Sequence, residues 1–152
     1  MGSVFRFKEF EINQEVCAMK INTDGVLLGA YVQVNNPYRI LDIGTGTGVI
    51  ALMLAQRFQD ANIDAVEIDI DAYQTSLDNF KNSPFASRIK GNLGSFEDLQ
   101  VANKYDLIVS NPPFYTNSLH NPDARKKIAR HADFDFFKKL VDFAKTNLSD
   151  KG

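Results

Sequence analysis

The chain has 152 residues, enough for one core of ordinary size and too few for a second. Its 44% hydrophobic and 24% charged content is that of a folded domain, and a net charge of -2 with a pI near 5.6 argues against a broad polyanion binder, though not against a local basic patch. A single cysteine, Cys17, excludes an internal disulfide, and no run approaches the roughly 18 to 20 apolar residues of a membrane helix, so a cytoplasmic protein without membrane association is expected.

Val4 to Phe10 alternates as a strand, and Glu15 to Ile21 is placed to return as its hairpin partner. Thr23 stands where a helix N-cap belongs, before an apolar helix from about Val26 to Val34 that Asn35, Asn36 and Pro37 break. Arg39 to Ile43 then reads as a buried strand, Gly48 to Phe58 as a helix with almost no polar face, and Ile63 to Ile68 as a second strand. Asp71 is expected to cap a helix carrying Tyr73, Leu77 and Phe80, which ends before Pro84. Ser87 to Gly91 is a weak third strand and Tyr105 to Ser110 a strong fourth. Asp133 is expected to cap a last helix with Phe134, Phe137, Leu140, Val141 and Ala144 on one stripe, leaving Tyr115 to Ala132 as a long loop of the kind that usually carries function. Strands alternating with helices of this length predict an α/β fold, a parallel twisted sheet with helices on both faces.

Asp42-Ile43-Gly44-Thr45-Gly46-Thr47-Gly48 follows a strand and opens a helix, the context a nucleotide loop requires. Glycines let the backbone turn tightly and approach a ligand, toward which the helix amides point. The plainer alternative is a glycine-rich turn. A dinucleotide fingerprint needs glycine or alanine where Val49 stands. The spacing instead resembles the first motif of class I methyltransferases that use S-adenosylmethionine (AdoMet). That resemblance implies that Gly44 and Gly46 pass close to the methionine part of AdoMet, with Asp42 and Gly48 in the same loop. Glu67, at the end of the second strand, can accept hydrogen bonds from two ribose hydroxyls, and Ile68 follows it into the cofactor site. Asp69 is read as helping Asp71 to cap the next helix.

Tyr105 to Ser110 runs into Asn111-Pro112-Pro113-Phe114, where two prolines stiffen the chain at the end of a strand, the ligand-binding end of a parallel sheet. An adenine amine or glutamine amide is a poor nucleophile because its lone pair is delocalised. Two acceptors aimed at its hydrogens, the Asn111 side-chain oxygen and the Pro112 carbonyl, would favour a pyramidal nitrogen, while Phe114 offers a face for stacking. No metal is needed and no metal-ligand cluster stands in the sequence. The tetrad resembles the fourth motif of amino-methyltransferases.

Two further segments resemble one subfamily, the bacterial methyltransferases acting on N6 of adenine 37 beside the anticodon of valine tRNA. These are Met19-Lys20-Ile21-Asn22-Thr23-Asp24-Gly25-Val26-Leu27-Leu28-Gly29-Ala30 and Pro122-Asp123-Ala124-Arg125 with Ala129-Arg130-His131. The resemblance implies a Rossmann-like class I methyltransferase with AdoMet as cofactor and tRNA as partner. Residues 1–36 would be a hairpin and helix covering the cofactor site, and 37–152 the methyltransferase core. Asn92 and Ser95 stand where many relatives hold the AdoMet adenine, without the usual aspartate. Pro113 and Tyr115, with the basic Arg125, Lys126, Arg130 and His131 just past the tetrad, are candidate contacts for the substrate base and tRNA phosphates. The alternatives are a protein glutamine-N5 methyltransferase, an rRNA or DNA amino-methyltransferase, and a non-catalytic AdoMet- or nucleotide-binding module. Class I sheets have about seven strands and only four core strands read here, so the last strands are expected to be missing and the fourth strand to offer an edge for self-association.

Overall fold

A computed structural model describes residues 4–15, 20–112 and 134–152, with residues 122–133 described as backbone only. The first strand is shorter than expected and finds its partner sooner. β1 (Val4–Arg6) pairs antiparallel with β2 (Glu11–Asn13), Phe5 opposite Ile12. The chain reverses where the Phe7 amide donates to the Phe10 carbonyl at 2.9 Å and the two rings stack 4.5 Å apart. That reversal buries Phe10 and Ile12 in the core, beside Phe85, and so outweighs continued alternation. Helix α1 (Thr23–Tyr31) begins before Val26 because Asn22, rather than Thr23, caps it, its Oδ1 accepting from the Gly25 amide at 2.8 Å, and it ends before Val34, where the Arg57 guanidinium donates to the carbonyls of Gly29 and Val32 at 2.7 Å.

From there the order is β3 (Arg39–Ile43), α2 (Val49–Arg57), β4 (Asn62–Glu67), α3 (Ile70–Lys81), β5 (Ile89–Leu93) and β6 (Leu107–Ser110). These four strands form one parallel sheet in the order β5-β4-β3-β6. Asp69, not Asp71, caps α3, accepting from the Ala72 amide at 2.8 Å, while Asp71 adds charge in the first turn. β5 starts later than read because a 3-10 turn, Ala86–Arg88, precedes it, and the Arg88 guanidinium donates to the carbonyls of Ala55, Phe58 and Ala61. Tyr105 and Asp106 precede β6, and Tyr105 makes an isolated parallel bridge to Leu148.

The sheet alternates between two apolar layers. Ile40, Ile63, Ala65, Ile89 and Val109 face α2, Phe80 of α3 and the hairpin, whereas Leu41, Ile43 and Val66 face the other side. That second side is covered by α4 (Pro122–Asn147), which starts well before Asp133 and turns much of the expected loop into helix. Pro122 suits a first helical position, where its missing N–H is no loss. Phe136, Leu140 and Phe143 make the contact, with Phe136 and Phe143 edge-on to Phe96 at 5.8 and 5.3 Å. Of the stripe expected from Phe134, Phe137, Leu140, Val141 and Ala144, Leu140 packs inward, whereas Phe134, Phe137 and Val141 face outward, Phe134 being 72% exposed. Helices therefore cover both faces, and all four strands end at one edge.

Candidate functional site

The chain leaves β3 toward β4 and β5, then returns to β6 on the other side of β3. Such a reversal opens a crevice outside the strand ends, where open α/β sheets bind ligands. The register brings Ile43 level with both Val66 and Ser110, so the loop after β3 lies between the ends of β4 and β6. Glu67 flanks it on one side and Asn111 on the other.

The loop begins with the Val66 carbonyl accepting from the amides of Gly44 (2.8 Å) and Thr45 (3.1 Å). Gly44, Gly46 and Gly48 all have positive φ, at 72°, 57° and 85°. A Cβ on Gly44 or Gly46 would meet nothing within 4 Å, so those glycines supply conformation and an unobstructed backbone. Gly48 differs: it stands at the N-cap of α2 and a Cβ there would collide with the Phe80 ring.

Asp42 lies beneath the loop and is fully buried. Its Oδ2 accepts from the Thr45 hydroxyl at 2.6 Å, while its Oδ1 has no hydrogen-bond partner among the described residues. Burial pushes its carboxyl up to about 6 and the Glu67 charge adds to the rise, whereas the Thr45 bond opposes it and the Ala51 amide, not in bonding geometry with Oδ1, acts the same way as a nearby dipole. With no surface, Asp42 reaches a ligand only through the loop it supports. Glu67 is buried too, and accepts from the amides of Gly46 (2.9 Å), Ile68 (2.9 Å) and Asp69 (3.0 Å). Two oxygens offer about four lone-pair sites, so one remains for a ligand unless the loop amide yields.

Beyond Glu67 the strand ends are apolar and open. Ile68 is 75% exposed and Leu93 50%, a pair of faces against which a planar group can lie. Ser95 instead turns to its own 3-10 turn, Phe96–Asp98, accepting from the Glu97 amide at 3.2 Å. Asn92 bends back to the carbonyls of Lys90 and Ala65.

Asn111 and Pro112 leave β6 half-buried at the crevice. Asn111 Nδ2 approaches Asn22 Oδ1 at 3.4 Å, the oxygen that caps α1. Pro113, Phe114 and Tyr115 lie outside the described residues, as do the side chains of Arg125, Lys126, Arg130 and His131 on α4. Two residues at the site escaped the sequence reading. Asn22 was passed over for Thr23, since Asn22-Thr23-Asp24 offers three capping types in a row. Asn79, nearly fully buried, donates to the carbonyls of Asn13 (2.9 Å) and Thr47 (2.8 Å) and accepts from the Asn13 amide at 2.8 Å. Its only sequence signal is a polar residue beside Phe80 on the buried face of α3. Among the described residues, no group of three or more His, Cys, Asp or Glu side chains could hold a metal ion.

A family model, the methyltransferase small domain, matches residues 16–140. Over 152 residues the chain is 55% identical to the protein named tRNA1(Val) (adenine(37)-N6)-methyltransferase of Pedobacter heparinus, covering 100% of this chain and 65% of that one. The protein of the same name from Flavobacterium psychrophilum is 46% identical over 153 residues, 98% of this chain and 65% of that one. The chain thus spans about two-thirds, 65%, of the length of these relatives. Among solved structures, P. horikoshii TYW2 in complex with MeSAdo is alike in fold, with a TM-score of 0.59 at 18% identity over 69% of this chain and 40% of that one.

Proposed function

The chain belongs to the methyltransferase small-domain family, and from that premise we propose that its protein methylates the exocyclic N6 of an adenine in tRNA, using AdoMet. The observation that carries this reading is Asn111-Pro112 at the end of β6, beside the glycine loop of β3, in a chain 55% identical to a protein named for that reaction. The strand ends fit AdoMet. The unobstructed backbone of Gly44 and Gly46 admits close approach by an amino-acid group, Glu67 offers a ribose acceptor, and Ile68 and Leu93 offer apolar faces to an adenine. When bound, AdoMet supplies an electrophilic methyl on a sulfonium.

The chain's own groups would do the rest. The Asn111 side-chain oxygen and the Pro112 carbonyl accept from the two hydrogens of the amine, which favours a localised lone pair as the nitrogen becomes pyramidal. Gly48 and Asp42 hold the loop rather than touch the ligand. Residues 1–36 would close over the crevice, a role supported by Asn79 bonding to Asn13 and by Asn22 beside Asn111. Phe114 is assigned stacking with the target base, and Pro113, Tyr115, Arg125, Lys126, Arg130 and His131 contact with RNA, on the strength of their sequence positions alone. A tRNA substrate implies a cytoplasmic site of action, and no described helix is long and apolar enough to cross a membrane.

Calorimetry should show AdoMet and S-adenosylhomocysteine binding and NAD failing to bind. Full-length protein incubated with tRNA and labelled AdoMet should yield N6-methyladenosine on nucleoside mass spectrometry. Label appearing in a glutamine-containing protein and absent from tRNA would favour the amide-methylating alternative. Asn111→Ala should lower kcat by about a hundredfold or more with little change in AdoMet affinity, because its acceptor matters most in the transition state. Near-normal turnover would remove Asn111 from that role.

A further inference from the structure

Asn111 can serve as an acceptor only if its amide faces the substrate oxygen-first. A side-chain amide turned through 180° fills nearly the same space but presents a donor, and two donors repel. Something must therefore choose the orientation.

The choice is made at the start of α1. The Gly25 backbone amide is a donor without ambiguity, and it points at the Asn22 side chain at 2.8 Å, so the Asn22 atom there is its oxygen. That same oxygen is the atom facing Asn111 at 3.4 Å, the long end of hydrogen-bonding distance. An oxygen already fixed as an acceptor calls for a donor opposite, which is Asn111 Nδ2. The Asn111 oxygen is then turned away from α1. Gly25 makes the approach possible: a Cβ there would stand 3.2 Å from Asn111 Nδ2 and 3.3 Å from Asn22 Oδ1. Its backbone is ordinary helix, so the glycine is kept by neither φ nor helix propensity, and it costs the helix stability relative to alanine.

We infer that Asn22 is a positioning residue, which with Gly25 locks the Asn111 amide so that its oxygen faces the substrate amine. The inference deepens the proposed reaction and rests on that reading for its catalytic consequence, while the lock itself is a property of the protein alone. It gives the Asn-Thr-Asp-Gly segment a task in acceptor chemistry besides starting a helix.

Three variants of the full-length protein separate positioning from folding. Asn22→Ser keeps a good N-cap, but its shorter side chain withdraws from Asn111. Asn22→Asp keeps both acceptor contacts. Gly25→Ala favours the helix and crowds Asn111. In Asn22→Ser, kcat should fall about tenfold (about 1.4 kcal/mol) while AdoMet Kd and Tm stay near wild type, and Asn22→Asp should recover most of the loss. Gly25→Ala should lower kcat without lowering Tm, a combination that a purely structural role would not produce. Independently of turnover, the Asn111 side-chain NH2 resonance, assigned by its disappearance in Asn111→Asp, should shift in Asn22→Ser. Wild-type kcat in Asn22→Ser, or an unmoved resonance, overturns the inference. A wild-type protein that methylates no tRNA overturns the proposed function instead, and the resonance still decides whether the lock exists.

Discussion

Two carboxylates at the end of β3 and β4 carry different loads. Glu67 accepts from three backbone amides, one of them in the glycine loop. Glu67→Ala should therefore weaken AdoMet binding about 10- to 100-fold, as for loss of a hydrogen bond to a charged group, and lower Tm as well. Unchanged calorimetric affinity would place the ribose elsewhere. Asp42 is buried with one unpartnered oxygen, and its carboxyl is raised from 3.8 to about 6. The folded protein thus holds that proton where the unfolded chain releases it. Its stabilising share is fully present below about pH 4 and is lost as pH rises through about 6. The difference amounts to roughly 3 kcal/mol. Asp42→Asn, which never ionises, should flatten the pH dependence of stability between pH 4 and 7. Parallel denaturant titrations of the two proteins across that range read the effect, and equal slopes would show that Asp42 is not its source.

At the scale of elements, the loop depends on one glycine more than on the other two. Gly48 combines a φ of 85° with direct contact between its Cβ position and Phe80. Gly48→Ala should cost roughly 2 kcal/mol or more, since the left-handed conformation alone costs alanine 1–2. Urea unfolding measures this, and a loss below about 0.5 kcal/mol, the scale of an ordinary surface substitution, would mean that Phe80 simply moves aside. This loop and the strands around it were legible in the sequence for a physical reason: β3 is bounded by Asn36-Pro37 before it and Gly44 after it, and Ile40, Leu41 and Ile43 supply apolar residues to both of its faces, so no partner had to be known. The misread elements are those whose outcome is decided by distant residues. Near-helical spacing in α4 offers both Phe134/Phe137/Val141 and Phe136/Leu140/Phe143, and the apolar layer of Leu41, Ile43, Val66 and Phe96 selects the second. The partner of β1 was likewise settled by burial of Phe10 and Ile12 against the core. In the site, glycines and the Asn-Pro pair announce themselves by backbone chemistry. Asn22 and Asn79 act through side-chain contacts with residues far away in sequence, which spacing does not encode.

Across the whole molecule, two apolar layers clamp one sheet, and the functional groups gather at the edge where its strands end. The hairpin packs on one layer but is also tied into the site by a single amide. Asn79 holds both backbone groups of Asn13 and, with the same nitrogen, the Thr47 carbonyl inside the glycine loop. Any ligand that steadies the loop therefore steadies β2 by the same free energy with which β2 steadies the ligand, because linkage between two sites is reciprocal. Saturating the protein with AdoMet should slow hydrogen exchange of the Ile12 and Asn13 amides, and Asn79→Ala should abolish that slowing even where ligand still binds. Exchange at β2 that ignores ligand in the wild type would mean the two are independent. If they are coupled, the N-terminal hairpin reports on cofactor occupancy: proteases would cut this protein's first strands faster in a cell holding little AdoMet than in one holding plenty.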